Sequence, residues 1–317
     1  MFTVLGESLV DVVVTPDGER RAHPGGSPAN VAVGLARLGS AVWLLTEIGD
    51  DAYGHLLRDH FDANGVNLPV PLESARPTSI AEARIGPTGA ATYVFDLRWN
   101  APGTERPLPA GSTHAHTGSI GALLPPGGKK VPGWVEAARG RASVSYDPNV
   151  RPALMGAVES ARPRVERLVA LADVVKASDE DLAWLAPDTP LEEVASSWLD
   201  LGPALVVVTR GREGAFVTAR SGSFELAPVP VTVVDTVGAG DAFMAGLLDG
   251  LRLADLLGPE NREALYGASI ETFEAPLRRA ALVSAYTCSR RGSDPPTVHE
   301  LEAWAAARAD RPGSAFR

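Results

Sequence analysis

The chain has a single cysteine, Cys288, in 317 residues. No disulfide can close within it, and a chain of this length does not need one. No apolar run approaches the ~20 residues of a membrane-spanning helix. The first residues, Met1 to Ser8, lack a basic segment and carry Glu7, with Asp11 close behind, where a secretory signal would be apolar. The expectation is a protein of the reducing cytoplasm. Positive charge is also in short supply. The 29 Lys and Arg against 39 Asp and Glu give a formal charge of −10, which argues against a broad nucleic-acid-binding face and so predicts no nucleic-acid partner. A small anionic ligand remains possible, because it needs only a few backbone N–H groups and one or two cations.

Other absences narrow the function. No fixed-period repeat or low-complexity tract is present, which removes solenoids and fibrous proteins. The phosphate loop Gly-x-x-x-x-Gly-Lys-Ser/Thr is missing, and the first βα turn lacks Gly-x-Gly-x-x-Gly. A P-loop kinase and a nicotinamide-dependent oxidoreductase are therefore disfavoured. What is present is an ordinary globular balance, 45% hydrophobic and 21% charged. The length suits one large α/β domain with an accessory piece.

Strand signals at Phe2 to Leu5 and Val42 to Ile48 flank a helix beginning at Ser27-Pro28 and ending at Gly39. Ser27 is predicted as its N-cap, Pro28 as its first residue and Gly39 as the left-handed residue after its end. Two hairpins interrupt this βα pattern: Val12 to Ala22 around Pro16-Asp17-Gly18, and Ser79 to Phe95 around Gly86-Pro87-Thr88-Gly89. They predict a small sheet projecting from the main body. Beyond Thr113 strands and helices alternate, with strands at Ala142 to Tyr146, Asp173 to Ala177, Leu205 to Thr209 and Val231 to Asp235, and helices at Val158 to Ala172, Leu191 to Leu201 and from Ala239. Such alternation predicts a parallel sheet with helices on both faces.

The sharpest chemical feature is Asp235-Thr236-Val237-Gly238-Ala239-Gly240-Asp241. Small residues at 238 to 240 let the backbone turn tightly and direct N–H groups at an anion from a helix start. Asp241 beside them can take a proton from an attacking hydroxyl. Gly25-Gly26 and Asn30 form a second glycine turn at a helix start, and Asp11 lies near the end of an early strand. Carboxylate, amide and bare backbone together suit a polyhydroxylated ligand in the crevice beyond the strand ends. His114 and His116 lie on one face of a strand; without a further ligand at metal spacing they read as a surface or pocket-edge pair.

The Gly25-Gly26 to Ala29-Asn30 element and the Asp235 to Asp241 element resemble the two signatures of the ribokinase or phosphofructokinase-B (PfkB) family of carbohydrate kinases, in the family's order and spacing. Val174 to Leu182 and Thr209 to Ala215 are similar to its magnesium-phosphate and nucleotide segments. The resemblance covers about residues 3 to 300 and looks fructokinase-like, with Asp147-Pro148-Asn149-Val150-Arg151 and the segment around Phe95 to Trp99 adding to it.

The fold it implies is a ribokinase-like three-layer αβα core, mostly parallel, as one domain over residues 1–317. A β-sheet lid is inserted at about 12–22 and 66–107. The activity it implies is transfer of the ATP γ-phosphoryl group to a sugar hydroxyl, with Asp241 as base and Gly238, Ala239 and Gly240 as anion hole. Asp11, Gly25, Gly26, Asn30 and Arg98 would hold the sugar. Lys176, Ser178, Thr209, Gly211, Gly214 and Gly240 would line the nucleotide site. Asp181 would serve Mg²⁺ through water, and Asp235 with the Val237 carbonyl would serve K⁺. The family's Asn-x-x-Glu stands here as Ser178-Asp179-Glu180-Asp181. Free fructose is the expected acceptor, with ribose, 2-keto-3-deoxygluconate or a nucleoside as alternatives, the last because Phe95 and Trp99 could stack on a base. A non-catalytic sugar or nucleotide sensor is the rival of different class. A homodimer through the lid is also implied.

Overall fold

The computed structural model describes residues 1–68, 73–74, 76–86, 91–103 and 106–309. In chain order its strands are β1 (Phe2–Leu5), β2 (Leu9–Val14), β3 (Arg20–Gly25), β4 (Val42–Leu45), β5 (Ile48–Gly49), β6 (Val66–Asn67), β7 (Glu73–Ser74), β8 (Ile80–Ile85), β9 (Ala91–Asp96), β10 (His114–Gly118), β11 (Ser143–Asp147), β12 (Val174–Ser178), β13 (Leu205–Thr209), β14 (Ala215–Ala219) and β15 (Gly222–Leu226). The helices are α1 (Ser27–Arg37), α2 (Ala52–Ala63), α3 (Val131–Arg139), α4 (Pro152–Met155), α5 (Val158–Leu171), α6 (Asp179–Leu185), α7 (Leu191–Leu201), α8 (Ala239–Leu253), α9 (Arg262–Gly267), α10 (Glu274–Cys288) and α11 (Val298–Ala309).

Nine strands form the main sheet in the order β15-β14-β13-β12-β11-β10-β1-β4-β6. It is parallel from β6 to β13, and β14 and β15 continue it antiparallel. Runs such as Leu205-Val206-Val207-Val208 are buried on both faces, as a doubly covered sheet requires. Val31 and Leu35 of α1, Leu57 of α2, Leu247 of α8 and Leu277 of α10 cover one face. Trp134 of α3, Val165 of α5, Leu182 of α6 and Trp198 of α7 cover the other. This is the expected three-layer αβα core. From β1 the chain first builds outward to β4 and β6, then crosses back to β10, so the strand order reverses between β1 and β10. A crevice opens beyond the carboxyl ends of the strands at such a reversal.

A second sheet, β3-β2-β8-β9, arises directly after β1. Both predicted hairpins are there, β2 with β3 and β8 with β9, and β2 joins them by pairing parallel with β8. Residues 87–89 of the second turn lie outside the described residues. The limits of this sheet differ from those expected. Val66 and Asn67 pair with β4 in the main sheet, and Trp99 and Ala101 are buried in the main core, because their apolar side chains find more cover there. Trp99, 2% exposed with its indole N–H donating to the Gly121 carbonyl, is therefore not a base-stacking residue. On β9, Tyr93 and Phe95 stack with ring centroids 6.2 Å apart, and both are exposed, as is Val94.

Two local expectations fail for physical reasons. Val231 to Asp235 is not a strand; Val233 and Val234 are exposed, and the Val234 and Asp235 amides donate to the Cys288 carbonyl. β-branched residues favour strands only where a partner and a covered face exist. Ser27 is not the N-cap of α1. That position belongs to Gly26 at φ 100°, and Ser27 is buried inside the first turn. Gly34 then decides where this helix lies: a Cβ there would come 2.7 Å from the Cβ of Ala245 on α8. Only the bare backbone lets α1 and α8 approach closely enough for their first turns to meet.

Candidate active site

Asp241 occupies the third position of α8, after the N-cap Gly238. The residue is buried, 8% exposed. It accepts from the Ser27 hydroxyl at 2.6 Å and from the Asn30 amide at 2.8 Å, both in the first turn of α1. The two helix starts are thus clasped by one carboxylate. Ser27, read from sequence as a cap, instead orients this group.

The turn before Asp241 is built for an approaching anion. Gly238 sits at φ 74°, and a Cβ on it would come 2.1 Å from the hydroxyl of Ser293. The first N–H groups of a helix have no intrahelical acceptor; the Ala239 N–H donates to the Thr236 carbonyl at 3.1 Å, and Gly240 and Asp241 present theirs at the mouth of α8. Beneath this turn lies Lys176 near the end of β12. Its ammonium donates to the Gly240 carbonyl at 3.3 Å and pairs with Asp147 at 2.8 Å. Burial would discharge Lys176, but Asp147, with Asp181 and Asp241 behind it, outweighs burial and holds the ammonium above its ordinary range. Burial also pushes Asp147 up to about 6, against the attraction of Lys176 and helped by repulsion from Asp181 and Asp241.

Asp11 of β2 lies against Gly25: a Cβ there would meet its carboxylate at 2.2 Å. His23 stands opposite Asp11 across β2 and β3. Burial raises the Asp11 carboxyl, opposed by His23 and Arg151. A Cβ on Gly26 would meet the carbonyl of Glu7 at 2.6 Å, so the chain must be bare there to pass between β1 and α1. Asp11, Gly25, Gly26, Asn30 and Asp241 therefore form one continuous wall. Arg98 is joined instead to Asp96 at 2.7 Å on the second sheet.

The remaining predicted residues lie along the same sheet edge. Ser178 caps α6, accepting from the Asp181 amide at 3.0 Å, while Asp181 accepts from Ser178 N at 2.8 Å and from Val150 N at 2.6 Å. The Asp181 carboxylate thus ties α6 to the loop after Asp147. Thr209 donates to the Ala177 carbonyl at 3.2 Å at the end of β13. Gly211 and Gly214, at φ 50° and 91°, bound the following turn. A Cβ at Gly214 would lie 2.0 Å from the carbonyl of Leu226. Asp235 accepts from Gly292 N at 2.9 Å and Val237 N at 3.0 Å, and these backbone donors hold its carboxyl below the usual range.

Sequence reasoning missed Glu7, which is 4% exposed just past β1 and accepts from Gly121 N at 2.8 Å. An acidic residue two positions after a mostly apolar strand was the available signal. Burial pushes its carboxyl up to about 7, with Asp241 adding repulsion and donors at Ser119 and Gly121 opposing. The folded protein keeps a proton that the unfolded chain releases near 4.5. The resulting stability is complete below that pH and is lost as pH rises through about 7. Glu7→Gln should therefore gain stability over the parent between pH 5 and pH 8, of order 1–3 kcal/mol. Urea midpoints at the two pH values measure it; a difference independent of pH would contradict the assignment.

With this geometry in view, comparison with known proteins is direct. Residues 2–300 match the pfkB family carbohydrate kinase profile. The chain belongs to the pfkB family. This carbohydrate kinase is 35% identical over 266 residues to a fructokinase of Rhizobium leguminosarum bv. trifolii, covering 81% of each chain. It is 36% identical over 272 residues to a fructokinase of Klebsiella pneumoniae, covering 83% of this chain and 87% of that one. Among solved structures it resembles fructokinase with bound ATP from Xylella fastidiosa, at TM-score 0.87 and 26% identity over 98% of this chain and 99% of the other. As a family member it is an ATP-dependent phosphotransferase with a hydroxyl acceptor. Among the described residues no helix is long and apolar enough to cross a membrane.

Proposed function

We propose that this kinase transfers the γ-phosphoryl group of ATP to a hydroxyl of free fructose, with Asp241 as general base. The carrying observation is the placement of Asp241 between Ser27 and Asn30, at the mouth of α8. Fructose is supported by the fructokinase relatives. The wall of Asp11, Gly25, Gly26 and Asn30 supplies a carboxylate, an amide and bare backbone for sugar hydroxyls.

The transition state of phosphoryl transfer is loose, with charge on the equatorial oxygens, so positioning and electrostatic clamping outweigh base strength. The Gly240 and Asp241 amides would receive that charge, with the buried Lys176 ammonium beside the turn as a fixed cation. Ser27 and Asn30 aim the Asp241 carboxylate and leave lone pairs for the sugar proton. Lys176, Ser178, Thr209, Gly211, Gly214 and Gly240 line the nucleotide side, and closure of the second sheet would exclude competing water.

Among the described residues no cluster of three or more acidic, His or Cys side chains forms a metal cage. That suits magnesium, which keeps its waters and binds chiefly through substrate phosphates. Asp181 retains lone pairs to hold one such water, and magnesium would neutralise triphosphate charge. The clamped Asp235 carboxylate and the Val237 carbonyl fit a potassium ion.

The test is a coupled ADP-release assay with fructose, ribose, 2-keto-3-deoxygluconate, adenosine and fructose 6-phosphate. The expected result is the highest kcat/KM with fructose. Turnover of another acceptor at higher kcat/KM would replace the substrate, and ATP binding without turnover of any would favour a sensor.

A further inference from the structure

His114 and His116 of β10 are each 1% exposed, against the expectation of a pocket-edge pair. They lie beside two equally buried serines of β11, Ser143 and Ser145. The four side chains form one hydrogen-bonded file. His114 Nδ1 meets the Ser143 hydroxyl at 2.7 Å, and His114 Nε2 meets Ser145 at 2.8 Å. His116 Nδ1 meets the same Ser145 hydroxyl at 2.9 Å. At the far end Ser143 accepts from Gly258 N at 2.9 Å and can donate to the Thr113 carbonyl. At the near end His116 Nε2 is buried with no hydrogen-bond partner.

One neutral proton arrangement must run through this file, because each serine has one proton and each neutral imidazole one N–H. Two arrangements satisfy the interior. In the first, Ser143 donates to Thr113 O, His114 Nδ1–H to Ser143, Ser145 to His114 Nε2, and His116 Nδ1–H to Ser145. His116 Nε2 is then a bare lone pair. In the second Ser143 donates to His114 Nδ1, His114 Nε2–H to Ser145 and Ser145 to His116 Nδ1; the Thr113 carbonyl then receives nothing from Ser143, and His116 Nε2 carries an unsatisfied proton. Lys176 decides between them. Its ammonium lies on the same sheet face, one strand beyond Asp147, and acts on His116 electrostatically. A proton aimed at that cation is repelled, whereas a lone pair is attracted.

We propose that His116 is a positioning residue for Lys176, offering Nε2 as a neutral acceptor that helps hold the ammonium beneath the Gly238 to Gly240 turn. Lys176 has three N–H donors; the Gly240 carbonyl takes one at 3.3 Å, and Asp147 forms an ion pair with the ammonium at 2.8 Å. A neutral acceptor reached through one water steadies the ammonium in its place between Asp147 and Gly240 without cancelling its charge. The inference rests on the reading of Lys176 as the cation of the phosphoryl site.

Two arms test it on the full chain. In ¹⁵N-histidine NMR, His116 should show the Nδ1–H tautomer with Nε2 unprotonated from pH 8 to pH 5. An Nε2–H signal, or titration near pH 6.5, would overturn the proposal whatever the substrate. In the kinetic arm, His116→Asn keeps a donor near Nδ1 but removes the Nε2 acceptor, while His116→Gln places an amide oxygen near Nε2. Using the sugar that performs best, the Asn variant should lose about tenfold in kcat with sugar KM little changed. The Gln variant should recover most of that loss. Equal kcat in parent and Asn variant, or equal loss in both variants, would reduce His116 to core packing. If the Asn variant fails to fold, the NMR arm and the Gln variant still decide. If no sugar is turned over, the function falls while the tautomer result stands.

Discussion

Asp241→Asn should lower kcat by about 10²–10⁴-fold while sugar KM and thermal stability stay close to the parent. The substitution keeps the shape of the side chain and removes its ability to take a proton. Ser27 can still donate to the amide oxygen, and Asn30 can turn its own amide to accept from the new one, so the clasp between α1 and α8 survives. Steady-state ADP release and a melting curve measure the two halves. A variant with near-normal turnover would remove Asp241 from the role of base; a variant that lost folding as well would assign it to structure.

Gly238→Ala should lower kcat by about 10²–10³-fold, the range seen when a backbone donor to a developing anion is lost. The native φ of 74° is unfavourable for alanine, and the added methyl would lie 2.1 Å from Ser293 Oγ and 3.1 Å from Ser293 Cα. Because backbone as well as side chain is in the way, the turn must move, and the amides of Gly240 and Asp241 move with it. A folding penalty of about 1–3 kcal/mol should accompany the kinetic loss. Gly267→Ala, where a Cβ meets nothing within 4 Å, is the control and should change neither. If Gly238→Ala retained full kcat, the turn could not be the phosphoryl-binding element.

Gly238 and Asp241 are legible in the sequence because each belongs to a local motif. A strand-like run, three small residues and an acid specify a tight turn into a helix within a few positions. The four main parallel strands from β10 to β13 and the two hairpins are legible for a similar reason: alternation and apolar runs report burial locally. The irregular stretch at Val231 to Asp235 misleads because strand propensity without a neighbour is no strand. Ser27 misleads because a serine before a helix ordinarily caps it. Here Gly26 takes the cap, and the serine is claimed by an aspartate far along the chain.

The sequence by itself determined the layered α/β plan, the glycine turn suited to a phosphoryl group, the acid beside it and the membership of a kinase family, since each is written in residues close together in the chain. Tertiary structure alone decided that Ser27 and Asn30 hold Asp241, that Asp147 keeps Lys176 charged beneath the turn, and that Glu7 and the two histidines are buried rather than exposed. Those facts depend on α1, α8 and strands from distant parts of the chain meeting within hydrogen-bond distance. Burial, and with it the protonation of Glu7, Asp147 and His116, is a property of that meeting.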